Sequence, residues 1–380
     1  MINVLYNALH LTGSFSGVQH TEEQLMKTAL FHPYPEIRFE ALCPENYQPD
    51  FRFPSHPFIR VEADMATRWK RIGYEHLRMN RCSEARQTHI LHCPAYVLPW
   101  RCRTLSIVTV HDTIALDFPE YCPPGNSSYF RIALPRSVRQ ATKIIAVSHT
   151  VKCDILRHFS VNPDKIEVIY HGIDDRFKKR VTEKKLSEVR RKYDLPEKFI
   201  LFVGNIEPKK NISRLIDACL DVFRQSRIPH SLVVAGRFTW KSQNVQKKIA
   251  RCKDRRILCT GYIDSSDLPA VYTLADLFVF PSLYEGFGLP PLEAMACGTP
   301  VIVSGAGALP EITAGHALTV DPLSVESVGE AIYRMLHEPS LRSRFIESGR
   351  QHACGFQWET AWRKTAGLYD SVYRKYEKSC

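Results

Sequence analysis

The chain has 380 residues, 44% hydrophobic and 24% charged, with a formal net charge of +11. At roughly 150 residues per domain this length predicts at least two domains, and no apolar run approaches the roughly 20 residues of a membrane-spanning helix. Twelve cysteines scattered without CxxC pairs exclude a small disulfide scaffold and point to reduced thiols.

The opening MINVLYNALHLTG lacks the basic start and apolar core of a secretory signal and reads as a first buried strand, so a cytoplasmic protein is expected. Short apolar, β-branched runs then alternate with helical patterns. The first half has INVLY, FEALC, THILHC, LSIVTV, TKIIAV and KIEVIY; the second has KFILFV, HSLVVA, RRILCT, DLFVF and PVIV. Continuous runs of this kind predict strands buried on both faces of parallel sheets. Repeated twice, they predict an α/β protein of two Rossmann-like, doubly wound domains facing a cleft, with ligands at the carboxyl ends of the strands.

The predicted boundaries are 1–175 for the first domain, 176–197 for a polar linker with some helix, and 198–357 for the second domain. The segment FQWETAWRKTAGLYDSVYRKY (356–376) has apolar positions at helical spacing and reads as a closing helix, 358–380 crossing back to the first domain. Ser148 and Asn211 are N-cap candidates for the helices that follow them. Ile212, Leu215, Ile216, Cys219 and Phe223 form an apolar stripe read as core. The sequons at Asn126 and Asn211 are expected to carry no glycan.

Basic charge concentrates in 68–81, 176–192 and 247–256, and solvated helix faces are the ordinary reading of such runs. The stretch MATRWKRIGYEHLRMNR (65–81) also reads as a basic helix whose Trp69, Ile72 and Leu77 touch an anionic membrane. No helix-turn-helix or aromatic-rich binding sheet accompanies the charge, so no nucleic-acid partner is expected.

Two stretches carry chemistry. In SLYEGFGLPPLEAMACG the strand DLFVF ends in Pro281-Ser282, and the turn feeds a helix beginning near Pro290. Backbone N–H groups of Phe287, Gly288 and Leu289 then face outward as an anion site. Glu285 and Glu293 bracket it, and carboxylates beside an anion site suit the hydroxyl groups of sugars. In FVGNIEPKKNIS a strand, Gly204, a turn and Lys209-Lys210 before a helix form a diphosphate cradle. Taken singly, the glutamates also suit capping or surface carboxylates and the lysines a surface turn.

The combination GNIEPKKN, SLYEGFGLPPLEAMACGTPVIVS and ALPEI, with AVSHTVKCDIL, KIEVIYHGID and GYIDSSDLPAVYTLADLFVFPS, resembles the retaining glycosyltransferases of the GT-B fold in family 4. The resemblance covers most of residues 100–376. It implies an acceptor-binding first domain and a second domain that binds a nucleotide diphosphate sugar. Glu285 matches the first glutamate of the family's E-x7-E motif, which contacts the transferred sugar, and Glu293 the second, which holds the ribose. Phe287, Gly288 and Leu289 match backbone that meets sugar and phosphate, and Lys210 matches the diphosphate-binding lysine. Asn205 stands where many relatives carry an arginine, which leaves open whether Lys209 or another base shares the diphosphate charge. His111, just past the strand SIVTV, matches a histidine facing the donor sugar, and Gly17 the glycine loop that closes on the diphosphate.

The resemblance further implies hexose transfer with retention, by front-face substitution without a covalent carboxylate intermediate and without a metal or other cofactor. The acceptor is a glycan or a lipid-linked glycan of surface polysaccharide assembly. The implied donor is GDP-mannose, with UDP-glucose or UDP-galactose as the alternative, and the implied location is cytoplasmic, peripheral at the inner face of the membrane. HILHC offers His89, His92 and Cys93, but it reads as a strand with no second ligand pair at zinc spacing. GAGALP (305–310) breaks the dinucleotide glycine fingerprint after its second glycine. A glycoside hydrolase with Glu285 and Glu293 as its acid/base pair is the rival enzyme. Placement of one glutamate before the turn and the other within the helix disfavours it, and a catalytically silent nucleotide-sugar binder is the remaining alternative.

Overall fold

The structure is a computed structural model that describes residues 1–12, 17–49, 51, 58–61, 65, 67–252 and 256–378. It divides into two units, Met1–Gly172 with Gln357–Cys380, and Ile173–Phe356. Each is built on a parallel sheet, as continuous apolar runs demand.

The first unit contains β1 (Ile2–Asn7), β2 (Ile37–Pro44), β3 (Phe58–Val61), β4 (Ile90–Cys93), β5 (Leu105–Val110), β6 (Lys143–Ala146) and β7 (Ile166–Val168) in the order β3-β2-β1-β4-β5-β6-β7. Every pairing is parallel. The order reverses between β1 and β4, which opens a crevice at their carboxyl ends. The closing helix Trp358–Glu377 packs on this unit, burying Trp358, Trp362, Tyr369 and Val372 against Ile2, Val4, Ile90 and Ile107. Trp362 Nε1 donates to His32 O at 2.7 Å, and the Tyr369 hydroxyl meets His92 Nδ1 at 2.6 Å.

The second unit contains β8 (Phe199–Val203), β9 (Ser231–Ala235), β10 (Ile257–Gly261), β11 (Leu277–Phe280), β12 (Val301–Ser304) and β13 (Leu318–Val320), ordered β10-β9-β8-β11-β12-β13. Its pairings are parallel too, and its reversal lies between β8 and β11. The helix Ile212–Ser226 buries its apolar stripe, Ile212, Leu215, Ile216, Cys219 and Phe223.

Four expectations need correction. The edge strands β3 and β13 were absent from the sequence reading, because each is short and half-exposed and so carries no continuous apolar run. Residues 176–197 are no linker: the boundary falls after Gly172, and the segment is integral to the second unit. Phe177 is buried against Tyr272, and the helix Glu183–Lys192 docks through Lys185 and Lys192, whose ammonium groups lie 2.6 and 2.7 Å from the buried Asp267 carboxylate. Polarity concealed this packing: the helix buries only Val189 and holds to Asp267 by ion pairs.

Asn211 stands at the N-cap position of its helix without a side-chain cap hydrogen bond; its amide donates elsewhere, whereas Ser148 Oγ does cap, accepting from Val151 N at 3.1 Å. In the helix Arg68–Leu77, Trp69 and Leu77 are exposed but Ile72 is buried, since its position turns it onto the unit rather than outward. Ala66, at the start of the basic stretch, and residues 253–255 lie outside the described residues. Among the described residues no helix is long and apolar enough to cross a membrane.

Candidate active site

The reversal between β8 and β11 brings the two chemistry-bearing stretches together. After β8 the chain passes Gly204 and Asn205 into a single 3-10 turn, Pro208–Lys210, and after β11 it runs through Pro281–Gly288 into the helix Leu289–Ala296. Leu283 N donates to Lys209 O at 2.7 Å, tying one loop to the other. Asn211, left-handed at φ 60°, donates its amide to Pro281 O at 3.1 Å and Pro322 O at 2.6 Å. Its side chain thus fastens the lysine turn to the ends of two strands.

At the centre, Lys210 Nζ lies 2.6 Å from Glu285 Oε1, and 4.7 Å above the Phe280 ring. Both side chains are largely buried. Burial pushes the Glu285 carboxyl up, but Lys210 and then Lys209 outweigh it and hold the group below its ordinary value. The result is a fixed cation beside an ionised carboxylate.

Two glycines shape the turn around Glu285. Gly288, the N-cap residue of Leu289–Ala296, has φ 107°, and a Cβ there would lie 2.5 Å from Leu309 Cδ2. Gly307 has φ 60°, and its Cβ would meet Glu285 O at 2.5 Å and Glu285 N at 2.8 Å. Only glycine permits that left-handed backbone at so close an approach. Ala308 N then donates to Glu285 O at 2.8 Å, so the segment 305–310 grips the backbone of the first glutamate. Pro290 and Pro291 withhold two N–H groups from the first helical turn, which concentrates donor capacity in the turn before them.

Glu293 sits one turn into the helix, nine-tenths buried, with the Tyr272 hydroxyl donating to Oε2 at 2.9 Å. Burial pushes its carboxyl up to about 7, against the pull of Tyr272 and the Arg176 charge. Tyr272 itself is fixed edge-on against Phe177 and Phe278. The two glutamates therefore have separate partners, Lys210 and Tyr272.

Asn205 is exposed at the end of β8, and Lys209 Nζ lies 3.7 Å from Glu207 Oε1. On the neighbouring strand Arg237 is exposed, with Ile206 bridging to Phe238 and the guanidinium 4.4 Å from the Tyr262 ring. Gly17 and His111 belong to the first unit. Gly17 opens the helix Gly17–Phe31; residues 13–16 of its loop lie outside the described residues. His111, directly after β5, is buried and donates from Nε2 to Pro94 O at 2.7 Å, while its ring stacks on His171. Burial lowers its pKa, so the ring is neutral with Nδ1 unprotonated. His92, raised above as a metal ligand, meets Tyr369 and Thr109 through its two nitrogens, and His89 Nδ1 accepts from Asn3 N at 3.0 Å.

Residues 37–177 match Glycosyltransferase Family 4, and residues 184–352 match Glycosyl transferases group 1. The chain is 32% identical over 283 residues to O-antigen chain mannosyltransferase B of Escherichia coli, a match covering 74% of each protein. It belongs to the group 1, family 4 glycosyltransferases. This glycosyltransferase is also 32% identical over 238 residues to O-antigen chain mannosyltransferase RfbU of Salmonella typhimurium, 63% of each chain. A 30% match to the serotype-specific mannosyltransferase WbdA of Escherichia coli takes in 74% of this chain but 34% of that longer protein. Among solved structures, a sucrose-phosphate synthase from Thermosynechococcus elongatus aligns with TM-score 0.78 at 19% identity, over 99% of this chain and 100% of the other. The lipopolysaccharide glycosyltransferase WaaG aligns with TM-score 0.75 at 16% identity, over 97% and 99%. At such identities the likeness is one of fold, and that fold is GT-B.

The transferase site holds residues that the sequence reading missed. Tyr272 lies within GYIDSSDLPAVYTLADLFVFPS, a stretch that carries the family resemblance but gives this residue no role. Gly307 enters the sequence reading only within a broken glycine fingerprint, Ala308 there and in ALPEI without a role of its own, and Arg176 within the expected linker. Gly307 and Ala308 offer a faint signal, a glycine-bearing turn directly after β12; Tyr272, inside a helix, and Arg176, in a 3-10 turn, offer none.

Proposed function

We propose that this glycosyltransferase moves mannose from GDP-mannose, with retention at the anomeric carbon, to a hydroxyl group of a glycan or lipid-linked acceptor in surface polysaccharide assembly. The observation that carries the proposal is the Lys210–Glu285 pair, buried at the reversal point of the second sheet. The likeness to O-antigen chain mannosyltransferases supports the choice of sugar.

In this reading Lys210 and the backbone N–H groups of Phe287, Gly288 and Leu289 face the diphosphate, with Lys209 and Asn205 at its edge. The bond from the anomeric carbon to the diphosphate oxygen breaks, and its electron pair stays on that oxygen. The acceptor oxygen bonds to the same face of the carbon, and its proton passes to the departing phosphate. Charge on the leaving group grows toward the transition state, where a fixed cation and oriented dipoles act most strongly. Glu285 accepts from hydroxyls of the transferred sugar, and Glu293 from the ribose hydroxyls. No step calls for a metal.

Thermal shift against GDP, UDP and ADP is the first test. Stabilisation by GDP is expected, stronger stabilisation by UDP moves the donor to UDP-glucose or UDP-galactose, and no shift with any of the three refutes the reading. Lys210→Ala should lower the transfer rate by about 10²–10³, the usual loss when one transition-state charge partner is removed. Simple hydrolysis of an oligosaccharide that requires Glu285 while sugar transfer survives Lys210→Ala would establish the hydrolase instead.

A further inference from the structure

The cations of the lysine turn are already spoken for. Lys210 is matched by Glu285 at 2.6 Å and Lys209 by Glu207 at 3.7 Å, and Glu293 adds a further carboxyl. A diphosphate ester is dianionic and grows more negative as its bond to the sugar breaks, so lysines paired in this way offer it donors but no net positive charge. Asn205 contributes a dipole and no charge.

The chain directly after β9 brings one more cation to the same place. β8 and β9 are parallel, with Val203 paired to Ala235, and past the strand ends Ile206 still bridges to Phe238. Asn205 and Arg237 are therefore neighbours in register, and Ile206 N donates to Arg237 O at 2.8 Å. Parallel neighbours stand about 4.8 Å apart, with side chains in register on the same side. A Cβ on Gly236 would collide with Gly204 O, so a glycine is what lets the arginine segment lie this close to the donor turn.

Arg237 is exposed, and among the described residues no carboxylate lies within ion-pair distance of it. Its guanidinium rests 4.4 Å from the ring of Tyr262, itself exposed. Such a ring contact in water is weak, whereas a guanidinium grips phosphate oxygens through parallel N–H bonds. Other cations on the neighbouring helices are engaged: Arg214 Nη1 donates to Asn211 Oδ1 at 2.9 Å, and Lys248 pairs with Asp217.

We propose that Arg237 contacts the donor: on binding of the nucleotide sugar it leaves the Tyr262 ring, turns toward Asn205 and grips the diphosphate, supplying the net charge that Lys209 and Lys210 lose to their carboxylates. The proposal rests on the donor reading above and assigns the missing charge to β9 rather than β8.

Titration calorimetry on the full chain with GDP, guanosine and pyrophosphate tests it; UDP and uridine replace the guanine pair where UDP gives the larger thermal shift. Arg237→Ala should weaken GDP and pyrophosphate by about tenfold or more, the value of hydrogen bonds to charged groups, and leave guanosine binding and the melting temperature unchanged. Arg237→Lys should recover only part of the loss, because an ammonium has no fork. Asn205→Arg in the Arg237→Ala background should restore GDP affinity from the adjacent register position. Lys241→Ala, which removes an ammonium 4.3 Å from the Trp240 ring on the same loop, should change nothing. With the nucleotide sugar saturating, the transfer rate of Arg237→Ala should fall by about 10². Wild-type GDP affinity in Arg237→Ala overturns the proposal and leaves the donor reading intact. Equal losses for GDP and guanosine, or a double variant that binds no tighter than Arg237→Ala, overturn it as well. A wild type that ignores GDP, UDP and ADP but binds pyrophosphate through Arg237 defeats the nucleotide reading alone, and one that binds neither defeats both.

Discussion

Glu293 is a carboxyl poised to change charge near neutrality. Its folded value of about 7 lies above the ordinary 4.5, so between those limits the folded chain keeps a proton that the unfolded chain has lost. Stability conferred by this group is full below about 4.5 and is lost as pH rises toward 7, by about 3 kcal/mol in all. Urea midpoints between pH 4.5 and 8 should therefore fall for the wild type relative to Glu293→Gln, whose amide oxygen still accepts from Tyr272; parallel curves would refute it. On the proposed role, ribose hydroxyls donate to the carboxylate and favour its charged form, so GDP should bind more tightly as pH rises from about 6 to 8 and should release a proton. Calorimetry in buffers of different ionisation enthalpy measures that proton. The residue's position was legible from the glutamate spacing. Its titration was not, because it depends on Tyr272 and Arg176, brought alongside by a helix and a segment distant in sequence.

At the scale of elements, a strand announces itself when both its faces are buried, and β1, β4, β5, β8, β11 and β12 were all legible for that reason. The edge strands β3 and β13 bury too little apolar surface to leave a pattern, and the helix Glu183–Lys192 is anchored by Asp267 rather than by a stripe. The turn after β12 belongs with these: nothing in its composition says that it holds Glu285. Gly307→Ala tests that role. An alanine must either leave φ 60° or push its Cβ into the Glu285 backbone, and strain of this kind costs about 1–3 kcal/mol. The expected outcome is a lower melting temperature together with loss of stabilisation by GDP. Gly315→Ala, also at positive φ but with open space around its Cβ, should lower stability alone. Equal GDP shifts in the two variants would separate the 305–310 turn from the donor site.

On the first unit, basic residues stand beside exposed apolar ones. Trp69, Leu77, Trp100 and Ile132 are exposed there, among exposed Lys70, Arg78, Arg101 and Arg131, and His76 links Trp100 to the helix of Trp69 with ring centres 5.2 Å apart. Peripheral contact with an anionic membrane follows as a prediction: the chain should sediment with phosphatidylglycerol vesicles, persist in part in high salt, and lose that salt-resistant part when Trp69 and Leu77 become alanine. No binding even at low salt would reject it. The division into units has a separate consequence. The second is one uninterrupted segment, Ile173–Phe356, and it holds Lys210, Asn211, Tyr272, Glu285, Glu293 and Gly307 with their mutual contacts. The first is discontinuous: without 357–380 it loses Trp358, Trp362 and Tyr369 from its core, and removing even one such buried ring costs about 3–5 kcal/mol. Expressed alone, 173–356 should unfold cooperatively and gain stability from GDP, whereas 1–172 should be insoluble and recover when 357–380 is joined to it by a flexible linker. A folded 1–172 would show that the closing helix is dispensable to that core. A folded 173–356 without any GDP shift would show that the nucleotide needs residues of the first unit, and the donor site would have to be redrawn to include them.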